Sequence, residues 1–358
     1  MKRFVLFLLS LAVSAAIIMS CEGPAGPKGD QGPAGANGAD GKDASLSCTA
    51  CHGNDDVDFI MAQYDLSRHN KGIVYEEEAG RIACGACHSG DGFAESVALG
   101  QDDAKTKATT KINCQTCHPI HEKFTTEDFA LRVQGPIKLR HTGAEFDFKN
   151  GNTCARCHQA RAYAEITTDT YTPAKAGSAS YSRFGPHYGT PANVFAMKGL
   201  YEIPGTEEYP KTNVHGNLAK GCVSCHMGSN ATNPAVGGHS FKMTSAQFVS
   251  GTTVMEGCAC HSDHTFFSAA TKQKEMASLL SEYRRLLIDK GMIDTSQAIT
   301  ADGYQPLGEY FIGGKEYTKL QAQIVLNYFY IMKDRSLGVH NPRYAMAIIK
   351  NSLAELKK

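Results

Sequence analysis

The 358-residue chain carries no surplus of either charge, since 36 basic side chains are balanced by 36 acidic ones. Without a basic stripe there is no electrostatic footprint for a polyanion, and nucleic acid is not supported as a partner. An apolar run long enough to cross a bilayer is missing too. The run from Phe4 to Met19 has 16 residues, whereas a spanning helix needs about 20. Between 44 and about 268, stretches free of Gly, Asn, Thr and Pro are scarce, which excludes long helices and wide sheets there.

Cysteine is what the chain has in quantity. Twelve of its 13 cysteines fall in six clusters, each ending in histidine: Cys48/Cys51/His52, Cys84/Cys87/His88, Cys114/Cys117/His118, Cys154/Cys157/His158, Cys222/Cys225/His226 and Cys258/Cys260/His261. Disulfides and zinc ribbons explain paired cysteines, but neither requires His directly after every second Cys. Five clusters read C-x-x-C-H, the covalent attachment site of a c-type haem. Two thiols bond the two vinyl groups on one porphyrin edge while the following imidazole becomes the proximal iron ligand. The sixth cluster is one residue shorter. Either both thioethers form across a distorted loop, or Cys260 alone is attached, or the pair is something else. The expectation is six haem c groups, with His52, His88, His118, His158, His226 and His261 as proximal ligands.

The N-terminus sets the compartment. Lys2-Arg3, the apolar run and Ile18-Met19-Ser20 before Cys21 form a signal peptide over 1–20. The small residue before Cys21 resembles the bacterial lipobox, so Cys21 is expected to carry lipid, with the rest of the chain in water. Glu22 in place of Asp resembles the sorting signal for the outer membrane, on its periplasmic face or at the cell surface. Residues 21–43 then form a tethered spacer. From Gly23 to Asp43 glycine recurs every third residue, a collagen-type Gly-X-Y pattern. Read as an extended spacer at about 3.1 Å per residue, it reaches roughly 65 Å; a short triple helix is the alternative.

Motif spacings of 36, 30, 40, 68 and 36 residues leave too little chain for a separate apolar core around each site. The porphyrins themselves are therefore expected to be the core of a mainly α, loop-rich fold over 44–268, completed by a helical region over 269–358. There Met276, Leu279, Leu280, Tyr283, Leu286 and Leu287 keep helical spacing across about 269–290, and Tyr317, Leu320, Ile324, Val325, Tyr328, Ile331 and Met332 do so across about 315–335. Both predict amphipathic helices. Asn341-Pro342 predicts the start of a third, running toward Leu356.

Eight further histidines remain: His69, His121, His141, His187, His215, His239, His264 and His340. Six are needed if every haem is bis-histidine, and Met197, Met227 or Met243 could substitute. The stretches Cys114-Gln-Thr-Cys-His-Pro-Ile-His121, Gly185-Pro-His187-Tyr-Gly, Cys222-Val-Ser-Cys-His-Met227, Gly237-Gly-His239-Ser-Phe and Gly338-Val-His340-Asn-Pro resemble the multihaem cytochrome c superfamily that includes ammonia-forming nitrite reductase and hydroxylamine oxidoreductase. The resemblance covers roughly residues 46–350. It implies a multihaem cytochrome c fold with His69, His121, His187, His215, His239 and His340 as distal ligands, leaving His141 and His264 in reserve. The function expected is electron transfer along bis-histidine haems, respiratory or extracellular, between redox partner proteins that include other multihaem cytochromes. The alternative is a reductase acting on nitrite, hydroxylamine or a sulfur oxyanion at one open haem. Against it, no cluster has Lys in place of the proximal His as in the nitrite reductases, and the six sites fall short of the eight in hydroxylamine oxidoreductase.

Overall fold

The computed structural model describes residues 48, 52, 55–78, 80–105, 110–175, 185–228, 235–243, 272–296 and 308–358, all within one unit, Ala44–Lys358. The signal peptide over 1–20, Cys21, the Gly-X-Y tract, Cys51, Cys258, Cys260, His261 and His264 lie outside the described residues.

Frequent turn-forming residues keep the helices before residue 243 short. They are α1 (Asp55–Asp65), α2 (Arg68–Lys71), α3 (Val74–Glu77), α4 (Ile82–His88), α5 (Gly90–Ala98), α6 (Cys114–Cys117), α7 (Asn152–Cys157), α8 (Pro191–Ala196) and α9 (Val223–His226). Among the described residues, sheet structure is limited to two-residue pairs. Strands β1 (Ile137–Lys138) and β2 (Glu145–Phe146) form an antiparallel hairpin with Ile137 opposite Phe146. β3 (Thr170–Tyr171), β4 (Ile293–Asp294), β5 (Tyr310–Phe311) and β6 (Tyr317–Thr318) pair as β3 with β6 and β4 with β5. The fold is mainly α with extensive loops.

The C-terminal region is built differently. Helix α10 (Lys272–Asp289) buries Met276, Leu280, Tyr283 and Leu287 along one face, as its spacing predicts. Helix α12 (Pro342–Leu356) starts with Asn341 accepting the Tyr344 N–H at its N-terminus and Pro342 in its first turn.

Between them, α11 (Lys319–Asp334) departs from expectation. It starts at a Thr318/Gln321 capping box, with Tyr317 in β6, and Ala322 and residues 324–334 are buried on every side. The cause is position, since α8, α10, α12 and the β3–β6 ribbon all pack on it. Its polar residues find partners there. Asn327 donates to the Tyr201 carbonyl at 2.8 Å and accepts from the Tyr201 N–H at 2.8 Å. The Lys333 ammonium lies 4.7 Å from the Phe329 ring centre and 5.2 Å from that of Tyr188.

Among the described residues, the apolar interior falls into two clusters. The larger joins α10–α12 to Val194, Ile203, Ile293 and Phe311. The smaller comprises Ile137, Leu139, Phe148, Ala155, Ala192, Phe195 and Ala196. Helix α8 serves both, giving Val194 to the first and Ala192, Phe195 and Ala196 to the second.

Candidate metal centres

Four of the described cysteine clusters close in a helical turn, and the Cys84/Cys87/His88 cluster lies within α4. The backbone N–H of the closing histidine donates to the carbonyl of the first cysteine, at 2.8 Å for His52–Cys48, 3.0 Å for His118–Cys114, 2.9 Å for His158–Cys154 and 3.0 Å for His226–Cys222. That turn places both thiols on one side with the imidazole beyond them. At α6 the turn is locked by a capping box in which Asn113 accepts from the Thr116 N–H at 3.2 Å and its own N–H donates to Thr116 Oγ1 at 2.9 Å.

No disulfide joins the described cysteines. Cys48 and Cys114 are exposed, while Cys84, Cys87, Cys117, Cys154, Cys157, Cys222 and Cys225 are half-buried. Cys225 lies inside α9, whereas its partner Cys222 stands just before that helix as its N-cap. The Cys225 N–H donates to the Cys222 carbonyl at 3.2 Å and its own carbonyl accepts the Gly228 N–H at 3.3 Å, so backbone hydrogen bonds on both sides fix its position. A thioether at Cys225 belongs to the function proposed for the protein. Among the described residues no three His, Cys, Asp or Glu side chains converge on a common point. Disulfide and tetrahedral zinc arrangements are thus not formed by these groups.

Histidine rings instead meet in twos. His52 faces His121 with ring centres 6.2 Å apart, His158 faces His69 at 6.0 Å, His88 faces His187 at 6.0 Å, His118 faces His239 at 6.4 Å and His226 faces His340 at 6.2 Å. In every pair one ring closes a cysteine cluster and the other comes from elsewhere in the chain. Two imidazoles bound through Nε2 to one metal at about 2.0–2.1 Å have ring centres about 6.3 Å apart. All five separations match that distance, and the residues fit a haem iron between two histidines. The interplanar angles run from 26° to 84°, as free rotation about a shared ligand axis allows.

Other contacts orient the rings. His118 Nδ1 donates to the Phe129 carbonyl at 2.8 Å and His226 Nδ1 to the Phe241 carbonyl at 3.0 Å. His215 Nδ1 donates to the Val339 carbonyl at 2.9 Å. A carbonyl only accepts, so Nδ1 carries the proton and Nε2 keeps its lone pair for a metal. Depth in the protein works to the same end, lowering the pKa of His69, His88, His226 and His239 and bringing His158 to about 4, with the nearby His69, His226 and His340 adding to that drop. Burial thus favours the neutral form of these five imidazoles, the form that ligation requires. His340 differs: burial pushes it down, but the charge and hydrogen bond of Asp334 carry it above the ordinary histidine value. Asp334 Oδ1 lies 2.5 Å from His340 Nδ1, and its side chain is fully buried. A carboxylate there raises the basicity of the ring.

Several supporting residues had no signal in the sequence. His121 and His187 have φ of 67° and 63°, a left-handed conformation uncommon for residues other than glycine. The His121 loop is held by buried Asp128, whose carboxylate accepts the N–H groups of His121, Lys123 and Phe124 at 3.0 Å each. Asn213 donates to the Phe195 and His340 carbonyls at 2.9 Å and accepts from the His215 N–H at 3.0 Å. Gln63 accepts the His239 N–H at 3.1 Å. Ser67 accepts the Asn70 N–H at 3.0 Å and caps the turn carrying His69.

Of the two reserve histidines, His141 occupies the β1–β2 turn and stacks flat on Tyr163, with centres 3.7 Å apart and Nδ1 buried without a hydrogen-bond partner among the described residues. That spacing leaves no room for a metal between the rings. Met197 packs against the larger apolar cluster.

No family model matches the chain, and no curated protein does. Among solved structures it is similar to the crystal structure of outer cell wall cytochrome OcwA, at 17% sequence identity and a TM-score of 0.49, over 83% of this chain and 50% of that one. The chain spans about half the length of that protein.

Proposed function

We propose that this protein is a multihaem c-type cytochrome that carries electrons through a set of bis-histidine haems and acts on no substrate at iron. The observation that carries the reading is the facing of all five described cluster histidines by a second histidine at 6.0–6.4 Å. Bound haem supplies reversible one-electron chemistry. The chain's residues do the rest. The cluster cysteines, Cys222 and Cys225 like the others, fix each porphyrin edge through thioethers. Paired imidazoles fill both axial positions, and the Nδ1 contacts hold ring orientation so that little rearranges when charge changes. His261 serves as the sixth proximal ligand and His215 as a further distal ligand, giving six haems. Export through the signal peptide, lipid on Cys21 and the Gly-X-Y spacer present the cytochrome from the outer membrane, on its periplasmic face or at the cell surface, to redox partner proteins, other multihaem cytochromes among them. A reductase needs an open iron, and a second histidine opposite each described cluster argues against one there.

The test is low-temperature EPR of the oxidised, haem-loaded protein made without residues 1–21, with the haem count from intact mass. Low-spin signals alone and six haems are expected. A stoichiometric high-spin haem overturns the conduit reading, and the same sample would then be assayed with nitrite, hydroxylamine and tetrathionate.

A further inference from the structure

The cysteine clusters are not strung out in a line. Helix α7, which carries Cys154 and Cys157, meets one other described cluster directly, a second through Gly151 at its N-terminus and a third through a strap. Toward α4 the contact is reciprocal, with Cys157 Sγ 3.7 Å from the Ala86 carbonyl and Cys87 Sγ 3.9 Å from the Arg156 carbonyl. On another side Cys222 packs on Gly151, where an added Cβ would lie 2.6 Å from Cys222 Sγ. Only glycine permits that approach. Toward α6 the link is a strap: the Arg132 N–H donates to the Cys117 carbonyl at 2.8 Å, and the N–H and carbonyl of Val133 both meet Thr153 Oγ1 of α7 at 3.3 Å.

The distal side repeats the pattern through one residue. The Phe241 ring lies edge-on to His69 with centres 5.0 Å apart and edge-on to His239 at 5.9 Å, while its carbonyl receives the His226 Nδ1 proton at 3.0 Å. One phenylalanine thus contacts histidines of three separate pairs. It does so in the left-handed conformation, at φ 57°, which is strained for any residue but glycine. Among the described residues, the His52–His121 pair is joined to the His118 region through the loop from His118 to His121.

We propose that the His69–His158 centre is the junction of the electron path, abutted by the His88–His187, His118–His239 and His226–His340 centres, with Phe241 the positioning residue that sets three of these four against one another. This rests on the haem reading above. Transfer between conjugated rings falls steeply with separation, so a centre bordering three others is where routes join. The path is then branched, and electrons can enter or leave at more than two faces of the protein.

The test uses the haem-loaded protein with His69→Met. Methionine in place of histidine raises the potential of that haem, so it can be reduced alone and its spin removed while the others stay oxidised. We expect loss of spin-relaxation enhancement in three of the remaining signals and none at the His52–His121 signal, with His121→Met as the peripheral control, affecting one neighbour. Loss in only one or two signals for His69→Met overturns the junction, as does failure of that variant to give a methionine-ligated haem. Phe241→Leu, which keeps an apolar side chain, is expected to shift the His69, His239 and His226 signals together; a shift confined to one overturns its role. If wild-type protein lacks five bis-histidine low-spin signals, the functional reading itself fails, an outcome distinct from these.

Discussion

The region carrying the cysteine clusters and the C-terminal helical region bury their apolar side chains to opposite degrees. From 272 to 358 the large residues Tyr283, Tyr317, Phe329, Tyr330 and Tyr344 are at most 1% exposed. Of the twelve most exposed large apolar side chains among the described residues, ten lie between Phe59 and Val214, including Met61 at 55% and Ile73 at 57%. Apolar surface left in water forgoes roughly 25 cal/mol per Å², so the first region gains less from its polypeptide than the second, although Leu139, Phe148 and their neighbours are buried there. The C-terminal region is organised chiefly by side-chain packing, whereas in the cluster-bearing region the histidine pairs lie among a smaller apolar cluster and many exposed apolar side chains.

The largest effect expected from that contrast is on the chain made full-length without haem attachment. Amide hydrogen exchange should show residues 322–334 and 344–353 protected at least about a thousandfold more than α4, α6 and α7, because local stability follows local burial. Equal protection in the two regions would break the comparison. Next in size is Phe329→Ala in the haem-loaded protein. Truncating a fully buried phenylalanine costs about 3–5 kcal/mol, read in denaturant titration, while the number of low-spin signals stays the same. Loss of those signals would mean that the helical core holds the metal centres directly.

A smaller, local effect is expected at Asp128. Its carboxylate accepts three backbone N–H groups that hold His121 at φ 67°. Asp128→Ala leaves them without that acceptor, at about 1–3 kcal/mol. The His52–His121 low-spin signal should convert to high spin with the other signals unchanged, and Asp128→Asn should restore part of it.

The two regions were also unequally legible in the sequence. A cluster is a local object, so the four-residue reach from Cys to His displays it directly. Which second histidine meets which cluster depends on loops such as 118–124 and 237–241, whose left-handed residues carry no compositional mark. His69, His121, His187, His239 and His340, implied by the resemblance, each lie opposite a cluster histidine, but no spacing rule pairs them. His141 looked equivalent by residue type and instead stacks on Tyr163. In the helical region, periodicity gave the elements and misjudged α11, because a 3.6-residue stripe reports one buried face and is silent about neighbours on the others. Asp128, Asn213 and Asp334 were invisible for a related reason: their role depends on a carbonyl, an N–H or a ring beyond the reach of any local pattern.

The smallest effect asks how much of the cluster-bearing region the polypeptide does secure. Asp91, in the first turn of α5, accepts the N–H groups of Gly92 at 2.9 Å and Thr110 at 3.2 Å and the Ser89 hydroxyl, while its own N–H donates to Thr110 Oγ1 at 2.8 Å. It thereby pins the segment leading into α6 against α5. Partial burial raises the carboxyl pKa, but these hydrogen bonds outweigh it and bring the group down to about 2. A carboxyl depressed on folding adds stability above its unfolded pKa and loses that contribution as pH falls through the folded value. The unfolding free-energy gap between wild type and Asp91→Asn, read by denaturant titration, should therefore be full above about pH 4 and close by about pH 2. Because the side chain is largely open to water, the gap should stay below about 1 kcal/mol. A larger gap would mean that hydrogen bonding within the chain holds the cluster-bearing region in place before any haem is attached, and the contrast between the two regions would narrow accordingly.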